Sequence, residues 1–175
     1  MTVSPVLLNR KKMENQEAYK LKEGMEKKEK YELLCAQVRA LAEGEPDAVA
    51  VMANVCAAIH EPMGFWWTGF YLEKGGELVL GPFQGPVACY RIKHGRGVCG
   101  TTYDRGETII VPDVEQFPGH IACSSESRSE IVVPVRNAAG TIVAVLDIDS
   151  RELATFDDTD RYYLEQIAAV VGEKF

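Results

Sequence analysis

The chain has 175 residues, enough for one domain with its own core, and 46% of them are hydrophobic. Its 26 acidic residues outnumber 19 basic ones, a net charge of −7 that argues against a surface built to wrap nucleic acid. No apolar run approaches the length of a membrane span. The N-terminus has neither an apolar h-region nor a small-residue cleavage site, so the expected compartment is the cytoplasm, where thiols stay reduced.

Residues 1–12, MTVSPVLLNRKK, match nothing downstream. They are expected to be a disordered tail or a cloning remnant, with Met13 as an alternative start and one domain over 13–175. From Glu14 to about Leu41 the pattern is helical. Tyr31, Leu34, Cys35, Val38 and Leu41 recur at helical spacing and make one apolar face. A second helix is expected from Asp47 to His60, with Val51, Met52, Val55, Cys56 and Ile59 facing inward, before Pro62 and Gly64 break the chain. FWWTGFYLEKGGELVLGPF has apolar runs on both sides of Gly75-Gly76 and predicts a β-hairpin. ACYRIKHG predicts a short strand, VCGTTYDRG a short helix ended by Gly106, and ETIIVPDV a strand closed at Pro112. Val114 to Ser129 is polar and without period, which predicts a long loop of the kind that usually carries function. SEIVVPVRNAAGTIVAVLDIDS predicts a second hairpin turning at Asn137 to Gly140. TFDDTDRYYLEQIAAVVGEKF predicts a last helix, with Asp157 and Asp158 favouring its N-terminus. The order implies an α+β domain: a mostly antiparallel six-stranded sheet with the terminal helices packed on one face.

The five cysteines include no C-x-x-C pair, and an odd count does not suggest a structural disulfide framework. Cys35 and Cys56 fall in helical apolar stripes and read as core. Cys89, Cys99 and Cys123 fall in Gly/Pro-rich or polar stretches. Cys123, inside PGHIACSSES, has the surroundings of a loop, where a thiol is a liability unless its reactivity is used. Cys99 stands at a helix start, which suits a small buried residue or a thiol acidified by the helix dipole. His94 and His120 invite a metal reading. One His-x-x-Cys without a matching pair is too little for it, so no metal and no cofactor are assigned, and His120 is left to assist the thiolate.

Asp147 and Asp149 alternate with Leu146 and Ile148. Strand period places both carboxylates on one face, either a solvated sheet face or a pair able to hold the ammonium of an amino acid. Trp66 and Trp67 are expected on opposite faces, one in the core and one walling a pocket. Tyr71 shares the face of Trp67, whether as pocket wall for an S-methyl group or as plain core.

GFYL, LVLGPFQGPVAC, GVCG, VPDV, a single Cys before SESRSEIVVPV, and GTIVAVLDIDS together resemble a GAF domain. More specifically, the chain resembles the free methionine-(R)-sulfoxide reductases, single-domain GAF enzymes, from about Tyr31 to Val171. The resemblance implies that Cys123 is the nucleophile, Cys89 the resolving thiol and Cys99 an accessory thiol. It further implies that Glu130, Asp147 and Asp149 line the site and that Trp67 and Tyr71 hold the substrate methyl group. Thiolate attack on sulfur, with Glu130 as acid or hydrogen-bonding partner, would leave a sulfenic acid that condenses to a disulfide, reset by thioredoxin. A homodimer is implied as well, with the amphipathic first helix available as an interface. The alternative is a non-catalytic GAF sensor that binds a small ligand or responds to oxidation.

Overall fold

The computed structural model describes residues 24–120 and 125–175. Among them the helices are α1 (Lys27–Ala42), α2 (Ala48–Met63), α3 (Gly97–Arg105) and α4 (Asp158–Gly172). The strands are β1 (Trp67–Glu73), β2 (Glu77–Gln84), β3 (Arg91–Lys93), β4 (Ile109–Val111), β5 (Ser129–Arg136) and β6 (Ile142–Ser150). They form one sheet in the order β3-β2-β1-β6-β5-β4, and every pairing is antiparallel. The expected element order is found. Strands β3 and β4 are only three residues long, because each lies between Gly/Pro-rich turns.

Of the helix expected over residues 14–41, the described part is α1, from Lys27. Residues 14–23 lie outside the described residues, and Gly24 has φ +84°, a left-handed conformation that a helix does not use. Glu26 then caps α1 through a reciprocal capping box with Glu29. Asp47 caps α2 by accepting a hydrogen bond from the Ala50 amide at 2.9 Å. The first hairpin turns where expected: Gly75 and Gly76 both have positive φ (66° and 90°), as a tight two-residue hairpin turn requires. The loop after β4 is less irregular than expected. Val114–Gln116 form a 3₁₀ turn capped by Asp113, and Arg128 already hydrogen-bonds to the Ser150 carbonyl.

The sheet has two different faces. On one, Phe70, Ile131, Val133, Leu146 and Ile148 pack against the apolar stripes of α1, α2 and α4. Each such side chain removed from water contributes roughly 1.5–3 kcal/mol, so this layer supplies most of the driving force for folding. Cys35 and Cys56 belong to it, as their helical spacing indicated. Tyr31, Leu34, Cys35 and Val38 of the α1 stripe are buried in this layer, and Leu41 packs against it partly buried. The other face carries a smaller cluster around Trp67, Tyr71, Val132 and Val145, over which α3 lies. No helix of the described residues is long and apolar enough to cross a membrane.

Candidate functional site

The second face of the sheet is built by strand period and register. In β1, Trp67, Gly69 and Tyr71 point to it; in β6, Val145, Asp147 and Asp149; in β5, Glu130 and Val132. Register then sets neighbours. Asp149 lies directly opposite both Trp67 on β1 and Glu130 on β5, and Asp147 opposite Gly69 and Val132. The first turn of α3 closes the top with Val98 and Cys99. The result is a cavity of about 540 Å³, counting its open mouth.

Gly69 is the reason the cavity has an aromatic wall. A Cβ at that position would fall on the Trp67 ring and within 2.6 Å of the Phe83 Cβ. Its absence lets the indole lie on the sheet, stacked between Phe83 at 5.4 Å and Tyr71 at 6.0 Å between ring centroids. The polar ends are tied down too. Trp67 Nε1 donates to the Pro86 carbonyl at 3.0 Å and the Tyr71 hydroxyl to the Cys89 carbonyl at 3.0 Å. Two hydrogen bonds therefore tie the aromatic wall to the segment that carries Cys89.

The opposite wall is acidic. Glu130 and Asp147 are buried (6% and 7% exposed) and Asp149 is half-buried. No Lys or Arg is among the described residues that line the cavity. Burial and then the neighbouring charges of Asp147 and Asp149 push the Glu130 carboxyl well above the usual range. Asp149 is raised for the same two reasons, burial and Asp147, with a hydrogen bond from Ser127 opposing. Burial lifts Asp147 to about 6, opposed by the hydrogen bonds it accepts from Cys99 and Glu130. Glu130 thus holds a proton that Asp147 shares. One oxygen of Asp147, Oδ1, is buried without a hydrogen-bond partner.

Cys99 is buried at the start of α3 (4% exposed). The helix dipole does not acidify it: burial, then the charges of Asp147 and Glu130, push its thiol well above the ordinary value. Cys89 is disulfide-bonded, whereas Cys35, Cys56 and Cys99 carry free thiols. Cys123 lies outside the described residues. Cys99, Glu130, Trp67, Tyr71, Asp147 and Asp149 therefore line one cavity, and Cys89 adjoins it.

His120 lines it as well, its Nε2 3.8 Å from Glu130 Oε2, and burial lowers its pKa. His94 does not. It stacks on Tyr103 at 4.0 Å, with Nε2 3.7 Å from Glu73 Oε2. Trp66 differs from expectation. It is half-buried at the edge of the same cluster as Trp67, with the Arg151 guanidinium 3.5 Å above its ring, because it precedes the first residue of β1. The apolar rim of Val87 and Ala88, and Ser127, are lining residues that sequence reasoning did not single out. Their signal was proximity, two residues and one residue before Cys89, and four residues after Cys123.

Comparison with known proteins places this geometry. The family model of the GAF domain matches residues 45–173. A GAF domain-containing protein A from Dictyostelium discoideum is 56% identical over 81% of this chain and 89% of its own length. A free methionine-R-sulfoxide reductase from Escherichia coli is 46% identical over 83% of this chain and 88% of its own length. Among solved structures, the free methionine-R-sulfoxide reductase from Neisseria meningitidis in complex with its substrate superposes with a TM-score of 0.84 at 46% identity, covering 87% of this chain and 92% of that one. The six-stranded sheet, its acidic and aromatic cavity and these matches agree, and the chain belongs to the GAF-domain family and, within it, to the free methionine-R-sulfoxide reductases.

Proposed function

We propose that the chain reduces free L-methionine (R)-sulfoxide to L-methionine, using its own thiols. The observation that carries this reading is the cavity in which Glu130, Asp147 and Asp149 face the stacked Trp67 and Tyr71. A free amino acid presents an ammonium and, here, a methyl sulfoxide. Buried carboxylates without a Lys or Arg partner suit the first, and Asp147 Oδ1 and Asp149 are positioned to accept from it. Aromatic faces suit the S-methyl group.

In this reading the Cys123 thiolate attacks the sulfoxide sulfur and Glu130 delivers its proton to the sulfoxide oxygen. Methionine leaves, and the oxygen stays on Cys123 as a sulfenic acid. The Cys89 thiol then attacks that sulfur, forming a disulfide and releasing water. Support for the pairing is that Cys89 is disulfide-bonded while Cys35, Cys56 and Cys99 are free. Cys99, with its raised pKa, is an accessory thiol held in reserve at the cavity wall. A dithiol protein of the thioredoxin type resets the enzyme in the cytoplasm by taking up the disulfide. The functional unit is one domain over residues 13–175, assembled as a homodimer. The dimer rests on the family resemblance, since the apolar stripe of α1 is buried within the chain.

The test is methionine release from each sulfoxide epimer. With dithiothreitol the R epimer is turned over and the S epimer is not. In a single turnover without reductant, Cys123→Ser releases no methionine and Cys89→Ser releases about one per chain and then stalls. A full burst from Cys123→Ser would reverse the two roles, and no methionine from the R epimer would remove the reading.

A further inference from the structure

Beyond the parts the reductase reading gives them, Cys99, Glu130 and Asp147 form a cluster of metal-ligating groups. The Cys99 sulfur and one carboxylate oxygen of each acid lie within 4.8 Å of one another, and all three residues are buried. They come from three elements, α3, β5 and β6, so the arrangement is set by packing rather than by one flexible loop. A second observation points to a ligand. Asp147 is 7% exposed, its Oδ1 has no hydrogen-bond partner, and it lines the cavity. The described lining carries a third carboxylate, Asp149, and no Lys or Arg. Buried carboxylates without a counter-charge favour a cation. His120 stands outside this group, its Nε2 3.8 Å from Glu130 Oε2.

We propose that Cys99, Glu130 and Asp147 bind a thiophilic divalent cation of the Zn²⁺ or Cd²⁺ type, and that its occupancy excludes the amino-acid substrate. Ligand chemistry selects the ion. One thiolate and two carboxylates match the sites of three protein ligands and an open fourth position that borderline-soft Zn²⁺ forms, whereas Mg²⁺ and Ca²⁺ need more oxygens. Bringing these three atoms, which lie within 4.8 Å of one another, onto tetrahedral bonds of about 2.0–2.3 Å asks for a closure of about 1 Å, within the reach of side-chain rotation. The ion would sit against Asp147, in the cavity that Asp147 lines. That is where the proposed function puts the substrate ammonium, so the exclusion clause rests on that reading and the binding clause does not.

The test uses the protein with its Cys89 disulfide intact. In that state Cys99 is the free thiol at the cavity, while Cys35 and Cys56 lie under the helices on the other face. Titration with Cd²⁺ should produce an ultraviolet sulfur-to-cadmium charge-transfer band with the amplitude of one thiolate per chain. Cys99→Ser should abolish the band. Asp147→Asn should keep it while weakening Cd²⁺ binding at least about tenfold by calorimetry. A circular dichroism spectrum unchanged from wild type certifies each variant. Methionine (R)-sulfoxide, which the disulfide form cannot turn over, should raise the apparent Cd²⁺ Kd about 100-fold when present at 100 times its own Kd. No band, a band that survives Cys99→Ser, or undiminished affinity in Asp147→Asn overturns the site. A band that the sulfoxide does not compete away overturns the exclusion clause alone, and active turnover without any band leaves the reductase reading standing by itself.

Discussion

Asp160, at the start of α4, and Asp147, on β6, are both almost wholly removed from water (0% and 7% exposed). Asp160 is fully partnered. Its carboxylate receives Lys27 Nζ at 2.6 Å, the Tyr31 hydroxyl at 2.7 Å and the Asp157 amide at 2.7 Å. Asp147 sits among other carboxylates, with Oδ1 unpartnered. The first arrangement joins α1 to α4 and closes the helical layer. The second leaves an unmet demand for a cation and a proton on the open face. A buried acid supplied with its cation is architecture, and one denied it is a site.

The largest effect that separates the faces is expected at Glu130. Glu130→Gln keeps the shape and removes the proposed proton donor. Turnover should fall roughly 10²–10⁴-fold, the usual worth of a positioned acid. The melting temperature should hold or rise, because an acid crowded by Asp147 and Asp149 is gone. Steady-state kinetics and a melting curve decide this together. A variant that melts early and still turns over would mean that Glu130 is architecture after all.

Asp160→Ala is the mirror experiment. It strands Lys27 and the Tyr31 hydroxyl, and should cost about 3–5 kcal/mol in denaturant unfolding, the usual cost of breaking a buried pair from one side. The kcat of the molecules that remain folded should match wild type, since Asp160 does not line the cavity. A selective loss of kcat would couple the two faces.

Gly69→Ala sharpens the comparison on the aromatic wall. The added methyl group would press on the Trp67 ring and the Phe83 Cβ. Overpacking of this kind costs about 1–3 kcal/mol. Because the ring that moves belongs to the cavity, KM should rise more than kcat falls, in contrast to Glu130→Gln. Unchanged KM would take Trp67 out of substrate binding.

Much of this division was legible in the sequence, for a physical reason. Strand period is strict, so the alternation of Leu146, Asp147, Ile148 and Asp149 assigns each side chain to a face from chain order alone, and helical spacing assigns Cys35 and Cys56 to the core. What period leaves open is register. Nothing in the chain order says that Glu130 meets Asp149 across β5 and β6, and that meeting makes the acidic wall. The resemblance to a family supplied Glu130; local pattern did not. Cys99 was ambiguous because its helix-start position and its burial act in opposite directions, and burial beside Asp147 and Glu130 decides the sign. Ser127 and the Val87–Ala88 rim were missed because loop residues carry no period at all.

The smallest expected effect is in the pH dependence of stability, where the two faces should bend the curve in opposite directions. Asp147 is raised from 3.8 to about 6 by burial, so the folded state holds its proton more tightly than the unfolded chain. Its contribution is complete below pH 3.8 and is lost as pH rises through about 6. Asp157 runs the other way. The Lys27 hydrogen bond holds it down at about 2, so its contribution is complete above pH 3.8 and is lost as pH falls through about 2. Its side chain is 57% exposed, which limits it to about 0–1 kcal/mol, the range of a surface pair. The buried Asp147 should be worth on the order of 1–3 kcal/mol. Denaturant unfolding at each pH, with a chelator present, reads both. Asp147→Asn should flatten the fall between about pH 4 and 6 and leave the acid limb alone. Asp157→Asn, which keeps the oxygen that caps Thr159 and Asp160, should soften only the acid limb. If both variants kept the wild-type slope in their own windows, the contrast between a partnered and an unpartnered acid would not be what shapes the stability of this fold.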